Sequence, residues 1–349
     1  MSSALAGKPV RLWGDRISAR VRGRQVVVCA ALAAGLVVVL VLSLMLGDYP
    51  VPVGRVLSAL FGGGARLDRF FVLDVRLPRA LLAMAIGAAL ALAGAIFQRL
   101  SGNPLGSPDI VGFNDGAATG ALLVTLVLGG VSVSAPLGAV LGGFVAAVAI
   151  YLLAYRGGVH GLRLILVGIG VSAILTSVRS YLITRADLSA AQGALAWLIG
   201  NLNALGWDQA RPVLIGLACA VPVLTVLGRG LGLLEMGHER AAGLGVAVQR
   251  TQLLLLLVAI VLTALAVAYA GPIQFVALAA PQLARRLART AGSALVTTAL
   301  MGAVLLGCAD LVAQRLFAPT QIPVGAVTLV LGGAYLAWLL HTERRAGRA

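Results

Sequence analysis

Charge is what this chain has least of. Asp, Glu, Lys and Arg make up 11% of its 349 residues, against about 25% in water-soluble domains. Twenty-seven basic and twelve acidic side chains cannot furnish the polar shell of a soluble fold this long. Lysine is almost missing: Lys8 is the single example, so arginine carries nearly all the positive charge. The three cysteines, Cys29, Cys219 and Cys308, each lie in an apolar run, with no partner at metal-ligand or disulfide spacing. They read as small packing residues. His160, His238 and His341 are mutually remote and form no metal motif.

What is present is apolar residue in long blocks. Hydrophobic residues are 60% of the chain and the mean hydropathy is +1.00, which excludes disordered and collagen-like classes. The chain is therefore expected to be an integral membrane protein. Its net charge of +15 does not indicate nucleic acid, because the arginines punctuate apolar runs instead of gathering on one face.

A membrane-spanning helix needs roughly 20 apolar residues. Residues 26–46 and 80–97 supply the first two runs. The uncharged stretch between Asp115 and Arg156 has double length and breaks at Gly129-Gly130 and Pro136. Residues 163–183 and 212–227 follow; a second double-length run between Arg250 and Arg285 breaks at Ala270-Gly271-Pro272, and 291–309 and 322–340 complete ten. The expected fold is all-α and polytopic, with about ten transmembrane helices in two related halves. A β-barrel is excluded, since the runs lack period-2 alternation.

Ten crossings put both termini on one side. Taken as cytoplasmic, that side holds eighteen basic residues against eight opposite, with Arg179 inside a span, as the positive-inside rule requires. The first run reads as a retained span and not a cleaved leader: its basic flank is long, and no small-residue cleavage site precedes Tyr49-Pro50. The organisation is a basic N-terminal tail (1–24), a ten-helix body (25–342) containing a long inner connector (231–249), and a short C-terminal tail (343–349).

Several places depart from plain spans. Gly112, Gly116 and Gly120, then Gly138 and Gly142, lay small-residue stripes suited to close helix packing. The segment Asn103-Pro104-Leu105-Gly106-Ser107-Pro108-Asp109 cannot continue a helix yet runs straight into apolar Ile110 to Asn114. It is either an ordinary turn or broken backbone lining a watery path. Gly271-Pro272-Ile273 is a comparable interruption later in the chain, and such pairs accompany related halves around a central path.

In the connector, residues 234–246 read as a short amphipathic helix, with Met236, Ala241 and Leu244 on one apolar side, Glu235 and Glu239 on the polar side, and Gly245 as a left-handed stop. Lipid headgroups or a partner protein would cover the apolar side. At the opposite end, Arg66, Arg69, Arg76 and Arg79 form either a set of headgroup anchors or a docking surface for carboxylates.

The chain has no Gly-x-x-x-x-Gly-Lys-Ser/Thr phosphate-binding loop, so it is not expected to hydrolyse ATP. Intramembrane acids, on which ion-coupled carriers rely, are scarce, with Asp310 and Asp115 the candidates. Uphill transport would then draw its energy from another subunit. Arg179 lies 16 residues beyond Arg163, about 24 Å along a helix. Two readings are open for it: snorkelling to headgroups, or facing a cavity where it attracts an anionic chelate.

Taken together, the motifs resemble the FecCD/BtuC-type permeases of ATP-binding-cassette importers, and most closely the ferric enterobactin branch. The resemblance is carried by Arg76-Leu77-Pro78-Arg79, Gly94-Ala95-Ile96-Phe97-Gln98, Asn103 to Pro108, Leu244-Gly245-Val246, Gly271 to Val276, Ala309-Asp310-Leu311 and Pro323-Val324-Gly325, and it spans about 26–340. It implies a non-catalytic, multi-pass subunit of the bacterial inner membrane that moves ferric siderophores, or alternatively cobalamin or haem. Its implied partners are two cytoplasmic ATPases, a second FecCD-type permease (a distinct paralogue or an identical copy) and an extracytoplasmic siderophore-binding protein. ATP and Mg would be bound by the ATPases, leaving no cofactor and no metal in this chain.

By the same resemblance, Leu234, Glu235, Met236, Gly237, Arg240, Ala241, Leu244, Gly245 and Val246 would couple to the ATPase. Arg76 and Arg79, with Arg66 and Arg69, would meet binding-protein glutamates, and Asn103, Pro104, Phe113, Asn114 and Arg179 would line the path. Two positions depart from the family pattern: Gln314 stands where an arginine is common, and Gln321 where a glutamate is. The rival of another class is an ion-coupled secondary transporter working without ATPases.

Overall fold

The computed structural model describes residues 8–12, 17–21, 23–109, 111–129, 134–155, 161–289 and 294–346. Within the basic N-terminal segment, strands β1 (Lys8–Leu12) and β2 (Ile17–Val21) pair antiparallel, Lys8 opposite Val21 and Leu12 opposite Ile17. Every regular element described after this hairpin is helical.

The helices are α1 (Gly23–Met45), α2 (Val53–Leu60), α3 (Arg66–Arg69), α4 (Leu77–Leu100), α5 (Phe113–Leu122), α6 (Ser134–Ala154) and α7 (Gly161–Arg185). They continue with α8 (Leu188–Leu198), α9 (Trp207–Leu234), α10 (His238–Gly243), α11 (Val248–Ala270), α12 (Val276–Ala288), α13 (Leu295–Arg315) and α14 (Val324–Ala346). A π-helical stretch, Phe70–Arg76, joins α3 to α4, and another, Leu123–Val127, extends α5.

Each of the ten expected apolar runs contains a helix among the described residues; residues 291–293 of the ninth lie outside them. Among the described residues, seven helices are long and apolar enough to cross a membrane, and Phe113–Val127 and Val324–Leu339 are shorter apolar helices. The tenth, α12, has 13 residues and is only about 20 Å long. The second run begins earlier than expected: a continuous 35-residue helix runs from Arg66 to Leu100. Pro78 does not interrupt it; it sits just where the π-helical stretch Phe70–Arg76 passes into α4.

At the centre stands α4, whose apolar window is 94% buried, packed against α9, α11, α12 and α13. Apolar burial gives little drive between helices in lipid, so close backbone approach carries the packing. A Cβ at Gly87 would run into the Gly302 carbonyl of α13, and one at Gly94 into the Ala277 carbonyl of α12. The expected stripes meet each other: Gly116 and Gly120 of α5 face Gly142 and Gly138 of α6. Gly112 is different, since it adopts φ +87° at the N-terminus of α5, a conformation natural to glycine. The cysteines are free; Cys29 lies 3.2 Å from the Thr297 hydroxyl, whereas Cys219 and Cys308 lie exposed on the outside of the chain and not in packing positions.

Candidate functional site

Polar side chains gather at the two ends of the bundle and in one cavity between. At the Glu235 end, α9 stops at Leu234 and α10 starts at His238, separated by Gly237 at φ +99°. This corrects the expectation of one helix over residues 234–246. Gly245, at φ +84°, is the left-handed stop that was expected. The proposed common apolar side is also corrected. Ala241 is fully buried against the core, while Met236 (53% exposed) and Leu244 (61%) stand free. The Gly237 kink turns Met236 away from the side that Ala241 buries. Arg240 is exposed beside them, and Val246 packs partly on the core.

The root of this connector is tied to the hub. The Glu235 carboxylate lies 2.5 Å from the Arg99 guanidinium at the end of α4, and Gln252 holds His238 at 2.9 Å. One residue earlier on α4, Gln98 donates to the Leu278 carbonyl of α12 (3.0 Å) and accepts from Arg285 (2.6 Å). The first interruption joins in: Gln282 donates to the Pro104 carbonyl at 2.7 Å, and Asn103 caps the Leu105 N–H at 2.9 Å. Further along the same segment, Asp109 accepts the Phe275 N–H at 3.3 Å. The two breaks in the chain therefore touch. Phe275 takes φ +67°, an uncommon conformation for a bulky residue, and starts α12 there.

The Arg79 end is built differently from the expected free arginine surface. The guanidinium of Arg76 is only 9% exposed and donates to the carbonyls of Leu44 (2.8 Å), Met45 (3.2 Å) and Tyr49 (2.5 Å). It satisfies orphan acceptors at the C-terminus of α1, so it is a structural cap and is not available at the surface. Arg79 pairs with buried Asp310 at 2.9 Å and donates to Asn203 and Gln321, both at 2.8 Å. Both departures from the family pattern belong here, since Gln314 donates to Asp310 at 2.7 Å. Arg66 and Arg69 are exposed. Arg315 approaches Asp48 at 3.5 Å.

Between the ends lies a cavity of about 450 Å³ bounded by α5, α7, α8 and the second break. Arg179 faces it and does not snorkel outward, because it forms an ion pair with Asp115 at 2.6 Å. Asn114 lines it as well, donating to Asp109 at 2.6 Å. The three other expected path residues do not. Phe113 is buried on Phe97, ring centroids 5.1 Å apart, as core, because the αL turn at Gly112 points it inward. Asn103 and Pro104 belong to the Glu235 end. Sequence reasoning missed Asp109, Ser172 and Gln274 in the cavity wall; Ser172, a lone polar residue in an apolar run, gave no periodic signal, whereas the place of Asp109 and Gln274 in the two interruptions was the signal to use.

A bundle of interrupted apolar helices around a polar cavity, tied at one end to an exposed connector, defines a polytopic transport subunit. The chain belongs to the FecCD transport family, whose model matches residues 35–342. It is 45% identical over 322 residues, 92% of this chain and 98% of the relative, to the ferric enterobactin transport system permease protein FepG of Escherichia coli (strain K12). A probable siderophore transport system permease protein of Bacillus subtilis (strain 168), YfhA, is 36% identical over 88% of this chain and 92% of its own length. The solved structure of an inward-facing putative metal-chelate type ABC transporter superposes with TM-score 0.81 at 28% identity, covering 90% of this chain and 99% of that one.

Proposed function

We propose that this chain is the membrane-spanning permease subunit of an ATP-binding-cassette importer for ferric siderophores. The observation that carries the reading is the connector. Met236 and Leu244 are apolar side chains more than half exposed, while Glu235 anchors the same segment to Arg99 of the central helix. A partner pushing there moves α4. The relatives named above supply the cargo class: ferric enterobactin and siderophore for two permeases, metal chelate for the solved transporter.

In this reading the Glu235 end and both termini face the cytoplasm, as the arginine distribution favours. Two ATPases bind ATP and Mg and receive residues 234–246, and a second FecCD-type permease completes the path. A siderophore-binding protein docks at the opposite end, where charge pairing sets orientation and encounter rate. Arg66 and Arg69 are the exposed cations there, with Arg79 partly accessible; Arg76 acts from below as a cap. ATP-driven closure of the ATPases displaces α10, and rigid-body movement of α4 with α12 alternates access to the cavity. Cobalamin or haem import would use the same machine with other cargo.

An ion-coupled carrier is disfavoured on a specific ground. Asp310 and Asp115 are engaged by arginine, and Asp109 is held by the Phe275 N–H and the Asn114 amide. The test is crosslinking of Leu244→Cys and Met236→Cys to the ATPase in the assembled transporter. Nucleotide-sensitive crosslinks support the reading, and absence of crosslinks from both positions contradicts it.

A further inference from the structure

The cavity holds an arginine that is already half spent. The Nη2 atom of Arg179 donates to the Asp115 carboxylate (2.6 Å) and to the Thr176 hydroxyl (2.9 Å). Asp115 also accepts from Ser172 on the neighbouring turn of α7. Among the described residues, Nε and Nη1 of the same guanidinium have no acceptor, and Arg179 lines the cavity. A guanidinium has five N–H donors in a planar fork, so the two on Nη2 are committed to the wall and the three on Nε and Nη1 are open.

On the same wall, Asn114 is 4% exposed, and its Oδ1 is buried with no partner. A buried acceptor left unpaired is costly, and this one lies out of reach of a ligand. Its amide nitrogen is spent on Asp109, which also takes the Phe275 N–H. The lining thus offers anion-binding donors from Arg179, while Asp115 pairs with the positive charge within the wall. An unpaired arginine at this depth would be expensive and would hold an anion tightly. The paired one does neither.

We propose that Asp115 is the charge-setting residue of the transport path. By neutralising Arg179 it lets the open Nη1 and Nε donors of that guanidinium hydrogen-bond the anionic oxygens of a passing ferric chelate without trapping it. This rests on the reading of the chain as a chelate permease. Asp115 is a positioning residue here, and Arg179 the one that touches cargo.

Two variants in the complete transporter separate this from a merely structural pair, with uptake kinetics measured for an iron tris-catecholate, which is trianionic, and a tris-hydroxamate, which is neutral. Asp115→Asn exposes a full positive charge, so KM and maximal rate for the trianion both fall, on the order of tenfold for one strengthened charged hydrogen bond. Arg179→Gln raises the KM for the trianion by a similar factor. The neutral chelate keeps its KM in both. Where the wild type carries only the trianion, the predicted changes in its KM carry the test.

Because a lone guanidinium can prevent folding, the double variant Asp115→Asn with Arg179→Gln carries the test if the first single variant fails to assemble. It has a weakened KM for the trianion and an unaltered one for the neutral chelate. Equal changes for charged and neutral cargo, or no change in either, overturn the proposal. If ATP-driven uptake persists in that case, the permease reading survives; uptake by wild-type transporter that ignores ATP sinks the reading itself.

Discussion

Glu235 and Arg99 meet 2.5 Å apart, the arginine almost wholly buried at the end of the central helix and the glutamate at the foot of the exposed connector. This pair is the covalently independent link between the surface a partner would push and the helix about which the bundle is packed. Glu235→Gln removes the charge and leaves the shape. The expected result is intact assembly and ATP hydrolysis, with chelate uptake reduced on the order of tenfold as one charged hydrogen bond is lost. Unaltered uptake would remove the pair from the coupling route.

Asp310 is buried beneath Arg79 and takes hydrogen bonds from Arg79 and Gln314. Asp310→Ala leaves a mostly buried guanidinium with only Asn203 and Gln321. Stability should drop by about 3–5 kcal/mol, the usual cost of orphaning one partner of a buried pair. Thermal unfolding in detergent reads this directly, and a loss below about 1 kcal/mol, typical of exposed pairs, would contradict the geometry.

Much of this was legible in the sequence, for reasons specific to membranes. Apolar runs marked ten helices of the bundle, since lipid forbids unsatisfied backbone, but not the short α2, α3 and α8. The Gly116–Gly120 and Gly138–Gly142 stripes were readable as packing faces, and Asn103 to Asp109 and Gly271 to Ile273 as breaks. That the breaks touch, through Asp109 and the Phe275 N–H, was not readable, because it depends on two segments more than 160 residues apart. Nor could sequence tell a surface arginine from a cap. Arg76 and Arg79 look alike in Arg76-Leu77-Pro78-Arg79, yet one closes the end of α1 and the other binds Asp310.

That difference gives a paired prediction. Arg76→Gln strips the donors from three carbonyls and should lower thermal stability by about 2 kcal/mol or more. Arg66→Glu with Arg69→Glu should leave stability within about 0.5 kcal/mol, as for exposed substitutions, while slowing association with the binding protein in a salt-dependent manner. Measured unfolding and association rates check both halves; the reverse pattern would mean that the burial of Arg76 has been misassigned.

Close helix approach is testable at single glycines. Gly120→Val places atoms where the Gly138 carbonyl and the Gly142 backbone already lie, and should abolish folding or cost about 3 kcal/mol, at the upper end for overpacking. Gly170 sits on α7 with nothing within 4 Å of an added Cβ. Gly170→Ala should therefore be neutral, or stabilising by up to about 1 kcal/mol from helix propensity. Detergent melting of the two purified variants distinguishes them, and similar melting temperatures would refute tight α5–α6 packing.

The central claim is that this chain conducts and another chain supplies the energy. The most direct measurement is uptake of a ferric siderophore into vesicles holding this permease, with its partner permease and binding protein, in the presence and absence of the ATPase. The account predicts accumulation only when ATPase and ATP are both present, and none from an ion gradient. Accumulation of the chelate by the permease alone, driven by a proton or sodium gradient, would contradict it.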